Sequence, residues 1–208
     1  MKEIYLLSNS SYTGVISLPM IDIKYLDFDI DISKYDTLVF TSKNAVISLD
    51  KNHAWQSIPA YAISEQTAKL IKEKKGKLVY TGTSRDGNEF AKEIIPMLKD
   101  KKVLYLRAKE VVSDLAHILK AQEIKLDEQI VYETLCKKYE SKEFAKDSIF
   151  IFTAPSTVEC FFGSFDWQDS FRAVCIGETT SKALPKEVEY FISEQKSIKS
   201  CIELAKSL

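Results

Sequence analysis

AVCIGETTSKALPKE, Ala173 to Glu187, has a near-echo in AYAISEQTAKLIKE, Ala60 to Glu73. Each begins with a small-residue and apolar run that suits a buried strand. Each then turns through Ser or Gly, Glu and Thr into a Lys-containing stretch that suits a helix. Capping chemistry favours these residues wherever a strand hands over to a helix, so one echo decides little. A second echo decides more. VFTSKNAV, Val39 to Val46, answers to IFTAPSTV, Ile151 to Val158, in the same order and at nearly the same offset. A weaker third sets LVYTGTSRDGNEFAKEI, Leu78 to Ile94, against EYFISEQKSIKSCIEL, Glu189 to Leu204. The chain reads as an internal duplication of roughly 110 residues.

Outward from these stretches, apolar runs rich in β-branched residues recur at IYLL, IDIKYL, TLVFTS, AYAIS and KLVYTG. They recur again at KVLYLR, KLDEQIVYE, SIFIFTA, RAVCIG and VEYFIS. Helix-period segments lie between many of them, at Glu65–Lys74, Asn88–Lys99 and Ser113–Gln122. Strands alternating with helices imply parallel sheet built from βα units. The expected fold class is α/β, as two flavodoxin-like or Rossmann-like lobes of five strands each. IFIF and VLYL are apolar at every position, as strands covered on both faces must be. Asp86 and Glu89 have capping-box spacing, Ser197 opens the last helix, and Pro96 should kink or tighten its own.

The chain has 208 residues, is 45% hydrophobic and 28% charged, and carries a net charge of −1. That is the composition of an ordinary globular protein long enough for a real core. Its first residues, MKEIYLLSNSSYTG, lack the longer apolar centre of a secretory signal, and no stretch approaches a membrane span. The expectation is a cytoplasmic protein with no membrane contact. Cys136, Cys160, Cys175 and Cys201 stand far apart without a CxxC pair, and are expected to be reduced and mostly buried. His53 and His117 belong to no ligand-spaced group, so no metal site is expected. Lys-rich stretches such as KLIKEKKGK are interleaved with Glu and lack stacking aromatics, which argues against nucleic acid.

No GxGxxG, GxxxxGK[ST] or GxSxG occurs, and six glycines are too few for a dinucleotide cradle. The repeats offer instead four strand-to-helix turns rich in hydroxyls: Thr41–Asn44, Ser64–Thr67, Thr153–Ser156 and Gly177–Thr180. Ligands of open parallel sheets bind beyond the carboxyl ends of the strands, where these turns fall. Helix-start amides with a Ser or Thr hydroxyl make an anion site, although the hydroxyls could equally cap their own helices. Four such turns in two related lobes favour a small ligand with several carboxylates or phosphates, held in the cleft between the lobes. Ser42, Asn44, Thr67, Ser156, Thr179 and Thr180 are the candidate contacts. Arg107 could clamp a further carboxylate or serve as an ion pair.

Several motifs carry a resemblance: YDTLVFTSKNAV, VLYLRAKE with Arg107, IVYET with Tyr132, IFTAPSTV and CIGETTSKAL. Across essentially its full length the chain resembles the uroporphyrinogen-III synthase family. It departs from the family pattern at Leu7–Ser8, where an Arg is common, and at Ala154, where a Ser is usual. At Ala154 and Pro155 only the backbone could serve a ligand. The resemblance implies a lyase of haem biosynthesis that closes hydroxymethylbilane with inversion of ring D, through a spiro intermediate. It implies no cofactor and no metal, a monomer, and a transient handover of substrate from the preceding pathway enzyme. It implies a discontinuous lobe, residues 1–26 plus 136–208, joined by a two-stranded connection to a continuous lobe, residues 27–135. Such lobes are expected to hinge about the ligand. Tyr132 matches a tyrosine proposed in the family as proton donor to the departing hydroxyl, and a core aromatic is the alternative. A non-catalytic two-lobed binder of a small polyanion is the competing function.

Overall fold

The computed structural model describes residues 2–84, 86–140 and 142–208, so Met1, Ser141 and the Arg85 of the third echo lie outside the described residues. The described residues form eleven strands: β1 (Ile4–Leu6), β2 (Ile16–Ser17), β3 (Ile21–Tyr25), β4 (Thr37–Phe40), β5 (Ala60–Ala62), β6 (Leu78–Thr81), β7 (Lys102–Ala108), β8 (Lys125–Cys136), β9 (Ile149–Phe152), β10 (Arg172–Cys175) and β11 (Tyr190–Ile192). Their helices are α1 (Lys43–Asn52), α2 (Glu65–Glu73), α3 (Gly87–Leu98), α4 (Leu115–Ala121), α5 (Pro155–Phe162), α6 (Glu178–Ser181) and α7 (Ile198–Ser207). Among the described residues no helix is long and apolar enough to cross a membrane.

Two compact units result. Unit 1 comprises Met1–Asp22 and Leu135–Leu208, and unit 2 comprises Ile23–Thr134. The sheet of unit 1 has the order β11-β10-β9-β1-β2, with every neighbouring pair parallel. The second sheet has the order β3-β8-β7-β4-β5-β6, parallel from β8 to β6. β3 runs against β8. Leu26 N–H donates to Val131 O at 3.0 Å and Lys137 N–H to Met20 O at 2.9 Å, so numbering falls on one strand as it rises on the other. The unit boundaries fall inside β3 and β8.

The echoed stretches occupy equivalent places. β4, β5 and β6 are consecutive neighbours in one sheet, as β9, β10 and β11 are in the other. Each echo spans the end of such a strand and the helix that follows it. Period-2 alternation within these strands divides each core in two, because successive side chains point to opposite faces. In unit 1, Tyr5, Leu7, Phe150, Phe152, Ala173 and Cys175 face one way into a cluster with Phe161 and Phe171. Leu6, Ile149, Ile151 and Val174 face the other way, against Cys201, Ile202 and Ala205 of α7. Unit 2 repeats the arrangement. Leu38, Phe40, Leu104 and Leu106 pack with α1, and Val39, Tyr61, Val103 and Tyr105 pack with α3 and α4.

Three sequence expectations change. The sheets hold five and six strands rather than five and five: six of the ten expected strands fall in the second sheet, and the first reaches five only because the two-residue β2 joins β1 at Tyr5–Ile16 and Leu6–Ser17. Both of its residues are exposed, so no hydrophobic period announces it. The helix expected after GETT shrinks to the four residues of α6, against nine in its echo α2. Pro185 explains this, since it excludes Leu184 from helical geometry and lacks the N–H a longer helix would use. The cysteines are not all reduced: Cys136, exposed at the end of β8, forms a disulfide with the buried Cys160 of α5. Neither lies in a short spacing motif, so only the fold brings them together. Cys175 and Cys201 are free and buried, and burial pushes the Cys175 thiol up to about 12. α3 accommodates Pro96 in its last turn without interruption.

Candidate active site

All four hydroxyl-rich turns sit at carboxyl ends of parallel strands, two in each unit. In unit 2, Ser42 is the N-cap of α1. Its extended backbone (φ −153°, ψ 143°) points the side-chain oxygen at Asn44 N–H, 3.1 Å away. Asn44 follows on the first turn, half-buried. Tyr132, carried in by β8, lies buried near this cap. Burial is the main influence that raises its pKa above the usual phenol value of 10.0; Tyr25 adds to the rise and the nearby Ser42 hydroxyl opposes it. The phenol is therefore protonated throughout the neutral range and can only donate its proton or accept a hydrogen bond. Lys51 Nζ stands 4.1 Å from the centroid of the Tyr25 ring.

A second phenol attends the same turn. Tyr105, wholly buried on β7, exchanges a hydrogen bond of 3.1 Å with Thr41 Oγ1, and burial raises its pKa too. Sequence reading missed Tyr105, because an apolar strand gives no sign of where a phenol ends. At the β5–α2 turn, Thr67 is buried and its hydroxyl lies 3.3 Å from Ser64 Oγ, so that turn is self-bonded.

Arg107 is half-buried and engaged. Its Nε donates to Glu128 Oε2 at 2.7 Å, and its Nη1 donates to Ala108 O at 2.9 Å and Lys109 O at 3.0 Å. Lys120 Nζ holds the other carboxylate oxygen at 2.7 Å. Burial pushes the Glu128 carboxyl up, but these two cations together hold it below the usual 4.5. Of the two roles weighed for Arg107, the ion pair is the one its contacts display.

In unit 1 the β9–α5 turn carries Ala154, Pro155 and Ser156. Ala154 is an N-cap without a side-chain oxygen, and Thr157 supplies one instead. Its hydroxyl accepts from Ala154 N–H at 3.3 Å and donates to Ala154 O at 2.6 Å. Pro155, in the first helical position, has no N–H to satisfy. Thr157 went unread in the sequence, although a Thr three residues beyond a poor cap is a usable signal. At the β10–α6 turn, Thr179 is exposed and Thr180 buried. Thr180 N–H returns to Gly177 O at 3.1 Å. The stem of Lys196 packs over Gly177, where an added Cβ would lie 3.5 Å from its Cε.

These residues amount to hydrogen-bond donors around two polar rims and two buried, protonated phenols, Tyr132 and Tyr105. Among the described residues, no group of three or more His, Cys, Asp or Glu side chains could hold a metal ion.

The model of the family described as uroporphyrinogen-III synthase HemD matches residues 8–203. The crystal structure of uroporphyrinogen-III synthetase from Helicobacter pylori is similar with a TM-score of 0.88 and 34% identity, covering 100% of this chain and 99% of that one. That of a mutant uroporphyrinogen III synthase from Thermus thermophilus aligns with a TM-score of 0.58 over 100% of this chain and 98% of that one. At 12% identity it speaks for the fold alone. The curated relative from Ruminiclostridium josui, porphyrin biosynthesis protein HemD, is 29% identical over 191 residues, 83% of this chain. The chain spans only 38% of that relative's length. On the match to nearly all of its residues, the chain belongs to the uroporphyrinogen-III synthase HemD family.

Proposed function

We propose that this chain converts hydroxymethylbilane to uroporphyrinogen III, joining the ends of the linear tetrapyrrole with ring D inverted and water released. The observation that carries the reading is the buried Tyr132 phenol, kept protonated beside the Ser42 cap of α1. Ring closure requires the carbon–oxygen bond of the hydroxymethyl group to break. The phenol's proton goes to the departing oxygen, which leaves as water, and the proton lost from the pyrrole carbon that forms the new bond returns to the phenolate. A phenol is a weak acid near neutrality, so this assistance is worth about 10²-fold, the low end of general-acid catalysis. The larger share of the rate comes from holding a reactive chain folded for one mode of closure.

The substrate's eight carboxylates suit rims of hydroxyls and amides. Ser42, Asn44 and Thr67 serve in unit 2. In unit 1, Ser156, Thr179 and Thr180 serve with the backbone at Ala154 and Pro155. In this reading Arg107 shapes a loop instead of holding substrate, because Glu128 and two carbonyls occupy it. A cytoplasmic location, a monomer and direct receipt of the bilane from the preceding enzyme belong to the same reading. Handover is supported by the substrate's own tendency to close unaided to the type I isomer.

Feeding the purified protein freshly made hydroxymethylbilane and separating the isomers tests the activity. Type III product is expected. Type I alone, the product of unaided closure, refutes the enzyme and leaves a binder of polyanions.

A further inference from the structure

The loop from Lys109 to Asp114 follows β7, and β7 runs parallel to β4, so the loop stands on the same rim of unit 2 as Ser42. It is tied at both ends. At its start, Lys109 N–H donates to Tyr132 O at 2.9 Å, and the Arg107 guanidinium holds the carbonyls of Ala108 and Lys109. At its far end, Asp114 N–H donates to Asn88 Oδ1 at 2.8 Å. Ser113 there sits so close to Gly87 that an added Cβ at Gly87 would overlap it.

Between these fastenings Val111 is 43% and Val112 87% exposed. Apolar side chains are ordinarily turned inward where a loop has the freedom to do so. Here the ties hold them out, amid Lys109, Glu110 and Asp114. Val112 lies three residues beyond Lys109, so its Cα is within about 11 Å of the residue bonded to the Tyr132 carbonyl. Among the described residues of unit 2, the other exposed large apolar side chain is Val79, within the edge strand β6 and away from this rim.

We infer that Val111 and Val112 form an apolar lip that packs against a pyrrole ring face of the bilane. The inference rests on the activity proposed above. The chemistry of that ligand names the occupant: its carboxylates are peripheral and find hydroxyls and amides, while its flat rings need an apolar surface to leave water. The ties of the loop give the lip a fixed position, so it limits where the ring beside Tyr132 can lie.

The test is steady-state kinetics with fresh hydroxymethylbilane on the wild type, Val112→Ser and Val112→Ile, together with isomer ratios, melting temperature and sedimentation. Loss of one aliphatic contact is expected to raise KM about tenfold in Val112→Ser, with kcat within about twofold and melting unchanged. Val112→Ile restores the wild-type KM. A wild type that makes type III product, beside a Val112→Ser variant of unchanged KM, overturns the lip alone. So does a KM change that comes with lost melting temperature, or with loss of a wild-type dimer. A wild type that yields only type I product overturns the activity and the lip with it.

Discussion

The role proposed for Tyr132 beside the Ser42 cap is tested at the scale of single residues. Tyr132→Phe keeps the ring and its packing but removes the proton. Turnover should fall by about 10²-fold while type III product still dominates, measured by single-turnover rates and isomer separation. Because burial raises the Tyr132 pKa above 10.0, any alkaline fall in wild-type rate due to this phenol lies above pH 10, and Tyr132→Phe removes that limb. Glu128 gives an acid-side counterpart. Its folded pKa is below 4.5, so the stability it contributes is present above the ordinary carboxylate range and is lost as pH falls through the lowered value. Melting curves of Glu128→Gln should therefore drop less between pH 5 and acid than those of the wild type. The Ser42 cap was legible from its residue type and its place after an apolar strand, whereas Tyr132 was singled out by the family resemblance alone. The partner of Arg107 was not legible, since Glu128 lies on a neighbouring strand and pairing is set by register.

Among elements, the helices that start on Asp86 and Ser197 could be read from sequence, for a cap is a local hydrogen bond. Asp86 accepts from Asn88 and Glu89 N–H, and Ser197 from Ser200 N–H. What a turn does for a distant loop is not local. Gly87→Ala should favour α3 by up to about 1 kcal/mol on propensity, yet its Cβ would overlap Ser113. The overlap wins, at about 1–3 kcal/mol of overpacking, and Ser113→Gly in the same chain should restore the melting temperature. Thr157→Ala tests the substituted cap of α5. It removes the hydroxyl that serves Ala154 on both sides and should cost about 1 kcal/mol, or about 2–4 °C in melting temperature. The brevity of α6 was foreshadowed by Pro185. The two exposed residues of β2 carried no signal that periodicity could detect.

For the whole molecule, repetition pointed to α/β lobes with parallel sheets, and the two sheets have that character. The strand pairing that closes unit 1 was beyond repetition, because β1 and β2 come from the start of the chain and β9 to β11 from its later part. The Cys136–Cys160 bond joins positions 24 residues apart within that unit. A loop of that size is worth about 3 kcal/mol, so reductant should lower the melting of unit 1 by several degrees and leave a Cys160→Ser variant unaffected. Where cytosolic reductants prevail, the pair is held as thiols and this contribution is absent. The order β11-β10-β9-β1-β2 also dictates a schedule of synthesis. β1 leaves the ribosome early, but its partner β9 begins only at Ile149, on the order of ten seconds later. All of unit 2 emerges in that interval and can close on itself. The nascent Ile4–Leu6 strand meanwhile has only the two-residue β2 to pair with, so unit 1 is the later of the two units to complete its sheet.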